Sequence, residues 1–354
     1  MFRLVALMAL AAAGARAGLV FDTVSLLGHS LLPRDDPTAA MSFPQAAGPW
    51  AVLARANGTV FGSTDGGRSF HAVERGSLDV SVPVDAAGQR RLLYSGDIPT
   101  WYTNATAITH AASPVVTEWE FVPRTGDFVR TSNPNSSRLI TFAGLPRPVV
   151  ELSVSSGGAV RHPSDKYVAV VVVWFLDAEQ GPLPGPCCRD SVLAFTSDDG
   201  FAWTFASEIA GPASVPNSQE GPNETFLTVL RDNKTLMCVF RVDGGDGEPD
   251  HKHTPYMQTF STDQGRTWST PRVMASDVLS AKPILATLPC GTVLLSGGRP
   301  GLRLWENSAG DGQQWTTYDI PTEHNKLMAE QQWRFCPEFL NATQALKVGL
   351  LILL

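Results

Sequence analysis

The chain has 354 residues, 43% of them hydrophobic and 17% charged, with a formal net charge of −7 at pH 7. That suffices for one large β domain or two ordinary ones. The acidic balance and the absence of any Lys/Arg run argue against nucleic acid and anionic membrane as partners, yet local arginines can still bind an anionic sugar.

The N-terminus reads as a secretory signal: Arg3, an apolar run from Leu4 to Ala13, then Ala15-Arg16-Ala17 as a small-residue cleavage site. Residues 1–17 are therefore set apart from the fold, and the run is too short to span a membrane. Strand-like runs follow at 50–54, 91–94, 115–122, 139–142, 167–175, 191–196, 225–230, 235–242, 256–261, 282–288 and 292–296. Turn signals such as Asp243-Gly-Gly-Asp-Gly247 and Gly181-Pro-Leu-Pro-Gly-Pro186 lie between them. No amphipathic helix is expected beyond the signal. The continuous apolar run Val168 to Trp174 predicts a strand covered on both faces. The 31 glycines and 26 prolines suit a turn-rich all-β protein. No linker divides the chain, so 18–328 is read as one domain. The tail, 329–354, ends in Val348-Gly-Leu-Leu-Ile-Leu-Leu354. It is too short for a membrane span and lacks the hydrophilic face of a blade strand; it is expected to be a mis-spliced or mis-predicted replacement for the true C-terminus.

One pattern recurs: Ser63-Thr-Asp65-Gly-Gly67-Arg-Ser69-Phe70, Thr196-Ser-Asp198-Asp-Gly200-Phe-Ala202-Trp203 and Ser261-Thr-Asp263-Gln-Gly265-Arg-Thr267-Trp268. A degraded copy, Ser308-Ala-Gly310-Asp-Gly312-Gln-Gln314-Trp315, has Gly310 in place of the Asp. Each reads as a hairpin turn in which Asp bonds backbone N–H groups, Gly supplies positive φ and the aromatic anchors the turn. The spacing implies a radial β architecture, with one repeat lacking the motif between the first and second copies. These copies resemble the Asp box of the sialidase (neuraminidase) superfamily and of other Asp-box β-propellers. The resemblance implies a six-bladed β-propeller of sialidase type, incomplete at its last blade. It gives Asp65, Asp198 and Asp263 a structural role, away from any active centre.

The resemblance also implies a chemistry. Sialidases cleave a sugar that carries a carboxylate on its anomeric carbon, using a Tyr nucleophile activated by Glu, three carboxylate-binding arginines and an Asp as general acid. The segment from Asn223-Glu224 to Phe240-Arg241, followed by the third box, looks like the family segment in which Glu opens one strand and Arg ends the next. By resemblance, Glu224 would activate the nucleophile and Arg241 would bind carboxylate. The alternative is an ordinary strand-end salt bridge. Asn223 heads a glycosylation sequon, and a glycan there would crowd Glu224. Arg299, in Gly297-Gly-Arg299-Pro-Gly, fits the place of the third arginine better than Arg303. For the first arginine, Arg147 in Leu145-Pro-Arg147-Pro148 has the better local match and Arg34 the better distance. Asp190 is a candidate general acid, with Asp177 and Asp36 as alternatives; each could instead cap its own turn. No Tyr stands where the family places one. Tyr318 lies too close behind Trp315 and reads as a strand residue, and His324 and Glu323 are read as surface groups.

The resemblance implies a secreted glycoprotein, sialidase-like and acting as an exo-α-sialidase on terminal sialic acids when complete. As given, little activity is expected, because the Tyr is absent. The alternatives are a non-catalytic propeller that binds glycans or proteins, and a glycosidase acting on neutral polysaccharide. Sialylated or related anionic glycans are the expected partners; the protein is expected to be monomeric, with no cofactor and no metal. Six sequons (Asn57, Asn104, Asn135, Asn223, Asn233 and Asn341) suit the secretory route, and the 5 cysteines fit no zinc pattern.

Overall fold

The computed structural model describes residues 115–130, 138–153, 158–176, 189–242, 254–274, 283–288, 290–298 and 302–327, and backbone strands or short segments at 5–10, 20–21, 25–26, 40–43, 51–56, 59–65, 70–75, 80–83, 90–95, 107–108 and 350–353. Almost all of it is β. Five of the sheets contain a four-stranded antiparallel meander whose strands pair in chain order. The fourth consists of Asn223–Val229, Leu236–Arg241, Met257–Ser261 and Arg272–Val273. The third is built on Val149–Ser153, Tyr167–Phe175, Ser191–Ser197 and Ala202–Ala210, and the fifth on Ile284–Thr287, Val293–Gly298, Leu302–Asn307 and Thr316–Asp319. The first two run from Ala40–Phe43 to His71–Arg75 and from Val80–Pro83 to Asp127–Arg130. Val5–Leu10 pairs in parallel with Leu350–Leu353. Among the described residues no sheet closes on itself.

Neighbouring sheets share cores. Val168, Val170, Val192 and Ala194 of the third sheet pack with Leu227, Leu236, Cys238 and Phe240 of the fourth. Met237, Val239 and Tyr256 of the fourth pack with Leu285, Val293, Leu295 and Trp305 of the fifth. The central strand of the third sheet explains the unbroken apolar run. Its residues alternate between two cores, Ala169, Val171, Val173 and Phe175 in one and Val168 and Val170 in the other, so both faces are dry and neither needs polar residues.

The four motif turns all join the third and fourth strands of their meanders, and two sit one residue away from the expected frame. In the copy that matches best, Ser261 Oγ donates to Asp263 at 2.8 Å and accepts the Gly265 N–H, while Asp263 accepts the Thr267 N–H and hydroxyl. Ser63 and Asp65 repeat the first of these bonds. In the second copy the working pair is Ser197 and Asp199: Asp199 accepts the N–H groups of Phe201 and Ala202. Asp198 points outward to Lys166 instead. In the fourth, Asn307 replaces the serine and Asp311 supplies the carboxylate, bonded to the Asn307 amide and the Gln313 N–H. That copy is therefore intact in function, with Asn for Ser and an additional residue in the turn. Gly265 and Gly312, at φ +83° and +70°, press on the preceding sheet, against Val168 and against Met237 and Phe260 respectively. The turns thus fasten one sheet to the next. The second sheet carries a plain turn at 123–126, closed on Val122 O.

One expectation is corrected. Ile320–Leu327 is an α-helix. Asp319 caps it by accepting the Thr322 N–H at 2.9 Å, with Glu323 in its first turn. Its eight residues are too few for a 3.6-residue periodicity to stand out. No helix among the described residues is long and apolar enough to cross a membrane.

Candidate functional site

Antiparallel pairing decides which residues meet. In each meander the first strand begins, the second ends and the third begins at one edge of the stack; the motif turns lie at the opposite edge. Asn223 lies opposite Arg241, and Val229 opposite Leu236, so the hairpin returns Arg241 to Glu224. A bulge between Asn223 and Phe226 breaks the side-chain alternation there. Glu224 takes φ +39°, a left-handed conformation that costs a non-glycine residue about 1 kcal/mol. The Arg241 side chain is 2% exposed and that of Glu224 31%, and Arg241 Nη1 donates to Glu224 Oε2 at 3.2 Å. A guanidinium this deep bears a desolvation cost of several kcal/mol, offset in part by the carboxylate beside it. The result is a cation fixed at a strand end, with a carboxylate on its solvent side.

Asn223 extends this cluster. It is 8% exposed, and its Nδ2 donates to Glu220 Oε2 at 2.6 Å. Glu220 O in turn accepts the N–H of Asp190, from the edge of the third sheet, at 2.6 Å. Arg189, also buried, donates to Pro212 O and Val215 O and pins the loop that carries Glu220. Asp190, Glu220 and Asn223 are therefore linked by hydrogen bonds across two sheets, and Glu224 and Arg241 form a second bonded pair beside them, joined to the first through the backbone from Asn223 to Glu224. Sequence reasoning missed Glu220; its only signal was proximity to Glu224. Burial of Asn223 bears on the sequon conflict: its nitrogen is engaged by Glu220, and the residue is 8% exposed.

The other candidates divide. Arg147 stands at the corresponding edge of the third sheet, just before Val149–Ser153, with its Cζ 3.9 Å from the Phe175 ring centroid. Arg303 pairs with Asp319 at 3.2 Å. Arg299, Arg34, Asp177 and Asp36 lie outside the described residues. Tyr318 donates to Glu306 Oε2 at 2.9 Å; burial, then the Glu306 bond and charge, push its phenol up to about 12. That is the opposite of what activates a nucleophile. Tyr256 is completely buried. Among the described residues no group of three His, Cys, Asp or Glu side chains could hold a metal ion. A groove of about 530 Å³ lies at the motif-turn edge, lined by Arg231, Asp232, Phe260, Asp311 and Gln313. The carboxylates of Asp232 and Asp311 are engaged by their own turns.

No family model matches the chain, and no curated protein does. Solved structures of sialidases and of an arabinofuranosidase align with it. A Hadza microbial sialidase shares 12% identity over 79% of this chain and 58% of its own, with a TM-score of 0.49. Trypanosoma rangeli sialidase in complex with sialic acid shares 15% over 87% of this chain and 50% of its own, at 0.49. The Fusarium graminearum GH93 α-L-arabinofuranosidase in complex with arabinobiose shares 15% over 80% of each chain, at 0.49. The chain thus spans between half and three fifths of these two sialidases. At these values the likeness assigns no activity or substrate.

Proposed function

We propose that the chain is a secreted sialidase-like propeller whose Glu224–Arg241 edge binds the carboxylate of a terminal sialic-acid-type sugar. The observation that carries the reading is the pairing of a buried Arg241 with a half-buried Glu224 on a strained bulge. A fixed guanidinium in a poorly solvated site meets a planar carboxylate with two parallel donors. In this reading Arg241, Arg299 and Arg147 hold the sugar carboxylate, Asp190 protonates the leaving oxygen, and Glu224 takes the proton of a Tyr nucleophile. Where a Tyr nucleophile is supplied, attack by its oxygen on the anomeric carbon, then by water on the glycosyl-enzyme, gives retention. Six blades, the signal role of residues 1–17, the tail reading of 329–354 and a monomeric state belong to the same proposal.

A second reading is favoured by one observation: the hydroxyl of Tyr318 is tied to Glu306, and burial with that bond pushes its phenol up to about 12. With no activated Tyr the site would bind without turnover. Calorimetry with a sialic acid analogue and a neutral hexose, alongside a fluorogenic sialoside assay, separates the two. Selective analogue binding, at least tenfold weaker in Arg241→Ala (about 1.4 kcal/mol), supports the clamp; hydrolysis adds the enzyme reading, and binding alone leaves the second. Equal affinity in wild type and Arg241→Ala removes the clamp from both.

A further inference from the structure

We propose that Asn233 is an N-glycan attachment site, and that Asn223, although it heads an equally good sequon, is unmodified in the folded protein. This rests on the secretory reading above. Transfer joins Asn233 Nδ2 to C1 of a sugar carried on a lipid diphosphate. The C1–O bond to the diphosphate breaks, and one amide proton leaves with it.

The two sequons, Asn223-Glu-Thr225 and Asn233-Lys-Thr235, have opposite surroundings. Asn233 is exposed at the tip of the hairpin between Asn223–Val229 and Leu236–Arg241, with φ +53°. Asn adopts that conformation more readily than most residues. The turn is closed by Asn233 N–H on Leu230 O, by Leu230 N–H on Thr235 O, and by Asp232, which accepts the N–H groups of Lys234 and Thr235 and the Thr235 hydroxyl. None of these bonds uses the Asn233 carboxamide, so a sugar on it leaves the turn intact.

At Asn223 the glycan and the fold compete for one atom. Nδ2 makes the 2.6 Å bond to Glu220, the residue is 8% exposed, and Thr225 is 1% exposed. A sugar on Nδ2 would displace Glu220 and the loop that reaches Asp190. A chain modified there cannot complete the Glu224 edge. The strand between the sequons spans roughly 20 Å at about 3.4 Å per residue, so a glycan on Asn233 stands at the motif-turn edge and leaves the Glu224–Arg241 edge open.

The test uses the full chain with its own N-terminus, and again with a heterologous secretion signal, in a eukaryotic secretory host. Total material and the protease-resistant fraction are digested with an amidase that removes N-glycans in heavy-oxygen water, and both peptides are read by mass spectrometry. The expected result is heavy-oxygen Asp at 233 and unlabelled Asn at 223 in the resistant fraction, with Asn233→Gln losing one glycan step in gel mobility. Glycan on Asn223 in the resistant fraction, or an Asn233 unmodified in total material behind both signals, overturns the proposal. Occupancy only behind the heterologous signal leaves the site assignment standing and refutes the secretory reading.

Discussion

Gly297→Ala tests whether the fourth and fifth sheets pack as described beside the candidate site. A Cβ at Gly297 would lie 2.0 Å from the Tyr256 hydroxyl oxygen, 3.1 Å from its Cζ and 3.3 Å from Trp305 Cζ3. Both rings are completely buried and meet edge to face with centroids 6.1 Å apart, so neither can swing aside. The hydroxyl must retreat by more than an ångström, an overpacking that costs about 2 kcal/mol. Tyr256→Phe alone should cost about 1 kcal/mol for the lost hydroxyl. It also removes the worst clash, so the double variant should lose only about 1 kcal/mol, a coupling of about 2 kcal/mol between the sites. Urea unfolding of the four proteins, followed by tryptophan fluorescence, gives the cycle. Additivity within about 0.5 kcal/mol would refute the contact. Met257, which follows Tyr256, pairs with Phe240, the neighbour of Arg241, so Gly297→Ala should also weaken binding at the Arg241 edge, and the double variant should restore it.

Asp199→Ala should destabilise by roughly 1–2 kcal/mol, the worth of charge-assisted bonds to partly exposed N–H groups, while Asp198→Ala, on an exposed ion pair, should cost under about 1 kcal/mol; equal effects in thermal melts would reject the shifted frame. Burial acts to raise the Asp263 pKa, but the Thr267 hydroxyl and N–H, with Ser261 and Arg266, outweigh it and hold the value below 3.8. A depressed pKa contributes stability above the unfolded value that is lost as pH falls through the folded one. Asp263→Asn should therefore flatten the acid limb of a pH–stability curve below about pH 4, and an unchanged limb counts against the bonds. Burial raises the thiol pKa of Cys238, whereas Cys290 is exposed. Maleimide should label Cys290 in the native protein and Cys238 only after unfolding, as peptide mass spectrometry would show.

The strongest sequence signals came from strands whose environment is uniform. Tyr167–Phe175 and Val115–Val122 carry the expected bounds, because apolar and β-branched runs between turn signals have few other uses. Outer strands were missed. Ala202–Ala210 mixes buried, half-buried and exposed positions without a clean period of two, and Thr316–Asp319 contains no buried residue. The motif frames slipped for a related reason. The spacing from Gly to Trp pointed to Asp198 and Gly310, but a carboxylate is selected by the N–H groups it can reach, and in folded turns those choose Asp199 and Asp311.

The candidate site was legible only where its parts are local. A Glu opening one strand and an Arg ending the next must meet if the two form a hairpin, and the turn of Asp232 to Thr235 marks that hairpin in the sequence. Asn223 bonds Glu220 only three residues away, but nothing local says that Glu220 reaches Asp190. That contact exists because a loop pinned by Arg189 crosses from the third sheet to the fourth. The same crossing changes the meaning of the Asn223 sequon. Read alone it competed with a catalytic role for Glu224; in the fold its nitrogen already belongs to Glu220, and its neighbour is free to face Arg241. What sequence treats as two rival functions for adjacent residues is one polar cluster, in which Asn223 anchors the strand start that presents Glu224.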